Sequence, residues 1–336
     1  METMESNRIA WIDMAKGLTI FLVVFHHAFM GAKNLGLVSS SVFELYELSR
    51  PFRMPLFFLV AGLFTKSALQ KPFTVFARQK LLYFLYFYVL WNTISVVIRA
   101  SLSSYTNNQV EYSDVFYLLW EPTFNLWFLY GLLLAFFSLY VLMRFGGVVI
   151  LTSFCLLCIS YEVSGLASLP FIFKATIMLF PFFAIGTIFS AALIEYIDQK
   201  ANLVVFILLS ILCISADFYI KNEYWDSVFY YLSALVYAIT MLTLMKRLQK
   251  TVLRGVLLYI GQHSLSIYLM HFLPVAAANF MLIRQLDMSQ PLLTSTISSV
   301  VTVALCIWGF KVLNSNKYLR YLVKSPLLRE RQQADL

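Results

Sequence analysis

Charge is what this chain has least of. Only 12% of its 336 residues are charged, about half the roughly 25% of an ordinary soluble domain. Set beside 60% apolar residues, with 31 Phe and 20 Tyr, that excludes a water-soluble globule, which has no interior large enough to hide them. Cysteine is scarce as well, with four in all. Cys155 and Cys158 form a CxxC, but inside an apolar run with no His nearby, and Cys213 and Cys306 are isolated. Membrane packing explains them better than metal or redox chemistry, and no metal is expected. The first apolar run has no clean Ala-x-Ala site and carries Lys16, His26 and His27. It therefore reads as a retained helix rather than a cleaved signal peptide. No convincing internal repeat is visible, which disfavours a transporter built from inverted halves. No soluble domain is appended, so residues 1–336 are expected to form a single membrane domain with a basic tail from about 313.

What the chain has in quantity is hydrophobic runs. About ten can each cross a bilayer core of roughly 30 Å: 10–31, 54–70, 81–100, 125–143, 146–160, 169–193, 201–220, 227–245, 263–283 and 291–312. The sixth is long, which a break at Pro181 or a tilt would explain. Leu-rich runs of this length predict helices rather than barrel strands. The expected fold is an all-α membrane protein of about ten transmembrane helices. The longest loop, roughly 99–124, would be external. The net charge of +8 is not a nucleic-acid footprint, because the basic residues are sorted. With a cytoplasmic N-terminus, one set of loops holds 17 of them and the other 7. That bias is the positive-inside rule and puts both termini in the cytoplasm. The lipid bilayer is thus the first partner, and the basic tail is expected along its inner surface.

Ionisable groups inside a bilayer are costly, so each is a candidate for function. They concentrate in the first and ninth runs. Lys16 and His27 are eleven residues apart, which sets them within about 20° of each other and about 16 Å apart along a helix. Asp13 lies about 60° from Lys16 on the same side, and His26 about 80° off that face. Lys16 and His27 therefore share a polar stripe, while His26 faces a neighbour or the interface. Asp13 is about 21 Å of helix from His27 and cannot orient it, so that partner must come from another helix or the external loops. In the ninth run Ser264, Tyr268 and His271 fall at i, i+4 and i+7, one face, with His271 near mid-membrane. His263 sits at the boundary. The second run opens Pro51-Phe52-Arg53-Met54-Pro55. Pro55 fits a first helical turn, Arg53 lies at the external end, and Gly62 allows a close helix approach.

Five motifs then appear in order: Asp13-x-x-Lys16-Gly17 followed by His27-Ala28; Phe52-Arg53-Met54-Pro55-Leu56-Phe57-Phe58 with Ala61-Gly62-Leu63-Phe64; Leu126-Trp127-Phe128-Leu129; Pro181-Phe182-Phe183 with Gly186; and Ser264-x-x-x-Tyr268-x-x-His271. Together they resemble the acyltransferase-3 family of bacterial integral membrane O-acyltransferases, over nearly the whole chain. Lys at position 16 and Phe-Arg-Met-Pro look closest to the fucose 4-O-acetylase-related branch. The family's spacing of basic residue and histidine selects His27 over His26. Two departures stand out. Many relatives carry Ser-Gly where Ala61-Gly62 stands, and many have a denser Arg cluster where this chain has Arg78-Gln79-Lys80.

The resemblance implies an acyl-CoA-dependent O-acetyltransferase in the bacterial cytoplasmic (inner) membrane. It would take an acyl group, usually acetyl, from cytoplasmic acetyl-CoA to a hydroxyl of an extracytoplasmic polysaccharide or its lipid-linked sugar precursor. Basic side chains on the cytoplasmic side suit the CoA phosphates, with Arg78 and Lys80 first and Lys66 and Lys71 behind them. The pantetheine arm would pass Lys16 to reach His27. His27 is the candidate general base or acylated nucleophile, and Arg53 or the Trp127 indole a candidate oxyanion donor. Intramembrane His and Lys also suit a proton-coupled transporter or glycan exporter, and a third reading makes the stripes helix packing in a sensor or scaffold. An enzyme consumes acetyl-CoA and releases CoA; a carrier does not.

Overall fold

The computed structural model describes residues 9–47, 50–101, 110–120, 126–164, 169–219 and 223–328. They fold into helices, with no strand among them. In chain order the main helices are α1 (Ala10–Asn34), α2 (Ser40–Glu47), α3 (Arg50–Leu63), α4 (Phe73–Ser101), α5 (Trp127–Ser164), α6 (Phe171–Ile188), α7 (Ser190–Gln199), α8 (Leu203–Tyr219), α9 (Glu223–Leu248), α10 (Leu253–Gln262), α11 (Ser264–Met270), α12 (Phe272–Phe280) and α13 (Pro291–Ser315). Of the expected loop 99–124, residues 99–101 belong to the end of α4, and the described residues 110–120 include a 3-10 turn, Tyr112–Tyr117. Glu121, Arg8, Lys221, Arg329 and Arg331 lie outside the described residues.

The chain is an all-α, multi-pass membrane protein. Among the described residues six helices are long and apolar enough to span, namely α1, α4, α6, α13 and most of α5 and α9. Two bent pairs, α7–α8 at 112° and α11–α12 at 61°, raise the number to eight. Two places account for the difference from ten. Run 54–70 yields only the 14 residues of α3 before the chain turns at 64–65. That is about 21 Å of helix against a core of roughly 30 Å. Runs 125–143 and 146–160 form two helical segments that meet in a kink at Gly147 (φ 60°, ψ −153°) and are counted together as α5; this is a backbone that glycine adopts without a Cβ clash. The sixth run also differs. It continues through Pro181 and stops at Phe189, because a membrane helix tolerates an interior proline when neighbours satisfy the freed carbonyl. Pro55 likewise lies inside α3, which starts at Arg50, rather than in its first turn.

Backbone contacts divide the chain into two compact units, Met1–Val60 with Ala191–Lys311 and Ala61–Ser190 with Val312–Leu336. In the first, α1 is the central element and packs along α10, α11 and α12 and against α9. Its apolar residues recur at helical spacing and bury Ile12, Ala15, Ile20, Val24 and Ala28 completely. The closest approach is at Gly17. A Cβ there would lie 2.1 Å from the Leu257 carbonyl oxygen, and one on Gly261 would lie 1.8 Å from that of Asp13. Two backbones touch at this crossing, which only hydrogen in place of a side chain permits.

The second unit packs α4, α5 and α6 through aromatic rings. Phe136 stacks on Phe84 at 5.5 Å and meets Phe183 edge-on at 4.9 Å. A Cβ on Gly62 would meet the Phe183 carbonyl oxygen at 2.2 Å, and Thr187 Oγ1 donates to the Gly62 carbonyl at 3.1 Å. Gly62 thus serves close helix approach. The tail segment is tied to α4 by three side chains. Arg78 Nε, Tyr86 OH and Trp91 Nε1 each donate over 2.8 Å, to the carbonyls of Leu327, Tyr321 and Leu322 respectively.

Gly261→Leu is expected to destabilise the protein by about 1–3 kcal/mol or more, since backbone cannot yield as side chains do. Gly255→Ala, in the same helix with nothing within 4 Å of a Cβ, should be neutral or stabilising by up to about 1 kcal/mol. Thermal melts in detergent compare the two.

Candidate functional site

The Gly17–Gly261 crossing sets the register of the polar residues above it. From Gly17, ten residues of α1 lead to His27. From Gly261, ten residues lead through α11 to His271. Both segments rise about 15 Å, and the two imidazoles meet with ring centroids 5.1 Å apart. Farther along, Asn279 Nδ2 donates to the Ala28 carbonyl at 2.8 Å and holds α12 to α1. Gly31 leaves room for this amide, which a Cβ would approach to 2.4 Å.

His271 is completely buried at the bend between α11 and α12. Its Nδ1 bonds the Tyr268 carbonyl at 2.7 Å, and its Nε2 has no hydrogen-bond partner among the described residues. The Tyr268 ring is buried 5.9 Å from the His271 ring. On the other side of His27, the His26 ring stands edge-on at 5.0 Å. His26 Nδ1 bonds the Tyr46 hydroxyl, and Arg53 Nη1 donates to the same hydroxyl. Tyr46 and Arg53 are both buried, at 6% and 7% exposure. The Arg53 guanidinium also lies 4.9 Å from the Tyr46 ring centre, and no carboxylate stands within ion-pair reach of it among the described residues. Three histidines therefore form a row, His26–His27–His271, with Tyr46 and Arg53 at its end.

Toward the N-terminus of α1, Lys16 pairs with Asp13 at 3.2 Å. Beyond it, Trp11 Nε1 donates to Asp198 Oδ1 at 3.1 Å, and Lys246 Nζ donates to the same oxygen. This fixes the start of α1 to α7 and α9. Lys16, Asp13, His27, Arg53, Tyr268 and His271 thus belong to one unit. His263, between α10 and α11, bonds the Tyr259 carbonyl at 2.8 Å through Nδ1 and packs on Phe310.

The remaining expected residues lie in the other unit. Trp127 starts α5 and packs edge-on against Phe171 at 5.5 Å. Arg78 and Lys80 lie on a π-helical turn, Ala77–Leu81, at the start of α4. Such turns recur at functional sites. Arg78 is exposed, with Nε on the tail carbonyl already described. Lys80 instead turns inward, only 6% exposed, with Nζ 5.2 Å from the Phe136 ring centre. Lys66 is exposed, and Lys71 Nζ donates to Gln79 Oε1 at 2.8 Å.

Three residues escaped the sequence reading. Asn279 is an amide in an otherwise apolar stretch, which is a usable signal. Asp198 follows the end of a run and reads as solvated. Tyr46 carries no signal in a chain with 20 tyrosines.

Imidazoles placed inside an apolar helix bundle suit proton transfer or nucleophilic attack, the two demands of group transfer to a hydroxyl. The acyltransferase-3 family, described as an acyltransferase domain, matches residues 9–311, from the start of α1 to the last helix, and the chain belongs to that family. It is a membrane acyltransferase. No curated protein and no solved structure gave a significant match.

Asn279→Ala is expected to lower stability by roughly 0.5–2 kcal/mol through loss of the α12–α1 hydrogen bond. A lowered detergent melting midpoint, with unchanged membrane insertion, is the measurement.

Proposed function

We propose that this acyltransferase takes an acyl group, acetyl before others, from cytoplasmic acyl-CoA to a hydroxyl of an extracytoplasmic cell-surface glycan or its lipid-linked precursor, in the bacterial inner membrane. The observation that carries the proposal is that His271 meets His27, which lies on the same helix as the Lys16–Asp13 pair about 16 Å away. Family membership supports acyl transfer, and the charge bias of the loops supports the direction. The Lys16 and Phe-Arg-Met-Pro motifs support the fucose 4-O-acetylase-related branch. With the N-terminus in the cytoplasm, α1 runs outward, so the Gly17–Gly261 crossing lies toward the cytoplasmic side and the His27 end faces outward.

In this reading Arg78, Lys66 and Lys71 offer charge to the CoA phosphates, with Lys80 turned toward the protein interior. Lys16 steadies the pantetheine arm. As general base, His27 takes the proton of the acceptor hydroxyl while its oxygen attacks the thioester carbonyl. The C–O bond forms, the C–S bond breaks and CoA leaves as its thiolate. The alternative has His27 attack first and pass the acyl group on. Arg53 and the Trp127 indole are the candidate donors to the oxyanion.

In proteoliposomes loaded with acetyl-CoA and supplied with glycan acceptor, the wild type should release free CoA and acetylate the glycan. His27→Ala should insert normally and lose about 10²–10⁴-fold in turnover. Full acetylation by that variant would reject the mechanism. Lys16→Ala should weaken acyl-CoA binding or lower turnover; if neither changes, Lys16 is not part of the site.

A further inference from the structure

We propose that Arg53 is an anion-binding residue for the acceptor, taking a phosphate or carboxylate group that the glycan or its lipid-linked precursor carries near the hydroxyl to be acylated. The proposal rests on the acyl-transfer reading above and adds a charge to the substrate named there.

Arg53 is 7% exposed. A cation so enclosed is costly unless a negative group pairs with it, and a guanidinium, unlike an amine, does not escape that cost by losing its proton. Its hydrogen bond among the described residues runs from Nη1 to the Tyr46 hydroxyl, and the Tyr46 ring centre lies 4.9 Å from the guanidinium carbon. Neither contact brings a negative charge. A neutral amide, as of Asn or Gln, donates to a phenol oxygen equally well, so fastening Tyr46 does not account for the guanidinium. With Nη1 engaged, the edge formed by Nε–H and Nη2–H is left over. That edge grips a carboxylate or phosphate through two parallel N–H···O bonds.

A second cation at the same end of α1 has the same deficit. Lys33, in the last turn of α1, sets Nζ 3.1 Å from the centre of the Phe43 ring. Phe43 and Tyr46 are neighbours on α2, with ring centres 6.2 Å apart. So α2 holds both cations by ring faces, which position a cation without cancelling its charge. The carboxylates of α2, Glu44 and Glu47, are in ion-pair reach of neither. Two uncompensated positive charges make this end of the unit attractive to an anion. It is also the outward end, where the acceptor arrives. Arg53 hydrogen-bonds neither His26 nor His27; the Tyr46 hydroxyl stands between it and His26, and His26 lies 5.0 Å from His27. This offset suits a group fixed on the acceptor, a few ångströms from the reacting hydroxyl, better than the oxyanion that forms at the thioester carbonyl.

Inorganic phosphate and glucuronate are the probes, with glucose as the neutral control. Full-length protein in phosphatidylcholine nanodiscs is melted at constant ionic strength while each probe replaces chloride, with coenzyme A present throughout to fill the phosphate sites of the donor. Phosphate, glucuronate or both should raise the wild-type melting midpoint by about 2 °C or more, with a saturating dependence, and glucose should not. The anion with the lower half-saturating concentration tells a carrier phosphate from a sugar carboxylate. Each variant is compared with its own melt in chloride, so lost stability alone does not count. Arg53→Gln should raise the half-saturating concentration at least about tenfold. Arg53→Lys, which keeps the charge but not the fork, should raise it about threefold or more and serves if the Gln variant does not fold. No rise with either anion, or an unchanged half-saturation in the variants, overturns the proposal. Added on the acceptor side of the proteoliposomes, the anion that binds should raise KM for the glycan and leave kcat unchanged. A lower kcat at unchanged KM would remove Arg53 from the acceptor site. If the wild type transfers no acyl group, the reading of the reaction fails, while the melts still decide the anion site.

Discussion

The contact on which the rest of the first unit depends is between Gly17 and Gly261. At that point neither helix has a side chain, and the backbones of α1 and α10 touch. In a bilayer, helix association gains little from hydrophobic burial, because lipid tails are as apolar as leucine. Close packing of this kind has to supply it. The crossing also fixes a register, since a side chain on either glycine would meet a carbonyl oxygen. Ten residues beyond it on each strand of the pair stand His27 and His271. A slip by one helical turn would shift one imidazole about 5.4 Å past the other and separate them.

Fixing the helices this closely makes intramembrane polar groups tolerable. Most of those in the first unit have a local answer. Asp13 and Lys16 neutralise each other. Asp198 gathers Trp11 and Lys246, and Asn279 Nδ2 donates to the Ala28 carbonyl of α1. Hydroxyls on the helices turn back to their own backbone, as Thr19 does to Ala15 and Thr243 to Ile239, the usual arrangement for Ser and Thr inside a helix. The buried atoms without a hydrogen-bond partner among the described residues are fewer, and include the hydroxyls of Ser295, Ser298 and Thr302, Asn279 Oδ1 and His271 Nε2; the last lies beside the histidine to which the family motif points.

Much of this centre was legible in the primary structure because helical periodicity is a strong constraint. An eleven-residue interval is enough to align Lys16 with His27, and the same geometry turns His26 off the face toward a neighbour, which proves to be Tyr46. The identity of that neighbour was not legible, since it is set by the fold of a short helix rather than by any spacing. The ten-residue intervals from Gly17 to His27 and from Gly261 to His271 were in plain view, but they acquire meaning only once the two glycines are known to touch. Prolines misled in both directions. Pro55 and Pro181 look like a start and a break, yet both lie within helices, because neighbouring segments decide whether a freed carbonyl can be tolerated. The basic cluster at 78–80 shows the limit of charge as a guide. Arg78 stays outside against a tail carbonyl, while Lys80 turns inward toward Phe136.

The bend at His271 ties architecture to chemistry. Read as a motif, Ser264, Tyr268 and His271 lie on one uninterrupted helix face. In the structure α11 ends at Met270, and its direction changes by 61°. A helix that ends leaves its last four carbonyls in need of donors, and inside a membrane water is not at hand to supply them. Tyr268 provides one of those carbonyls, and the His271 ring answers it. The same hydrogen bond that satisfies the broken end therefore assigns the proton to Nδ1 and turns the lone pair to the far side of the ring. A leucine at this position would leave the Tyr268 carbonyl without that donor, whereas asparagine could still reach it. Only a group extending past it, as imidazole does, can satisfy the helix end and present an acceptor beside His27 at once. The bend and the tautomer are thus one constraint, and the crossing at Gly17 and Gly261 is what delivers His27 to it.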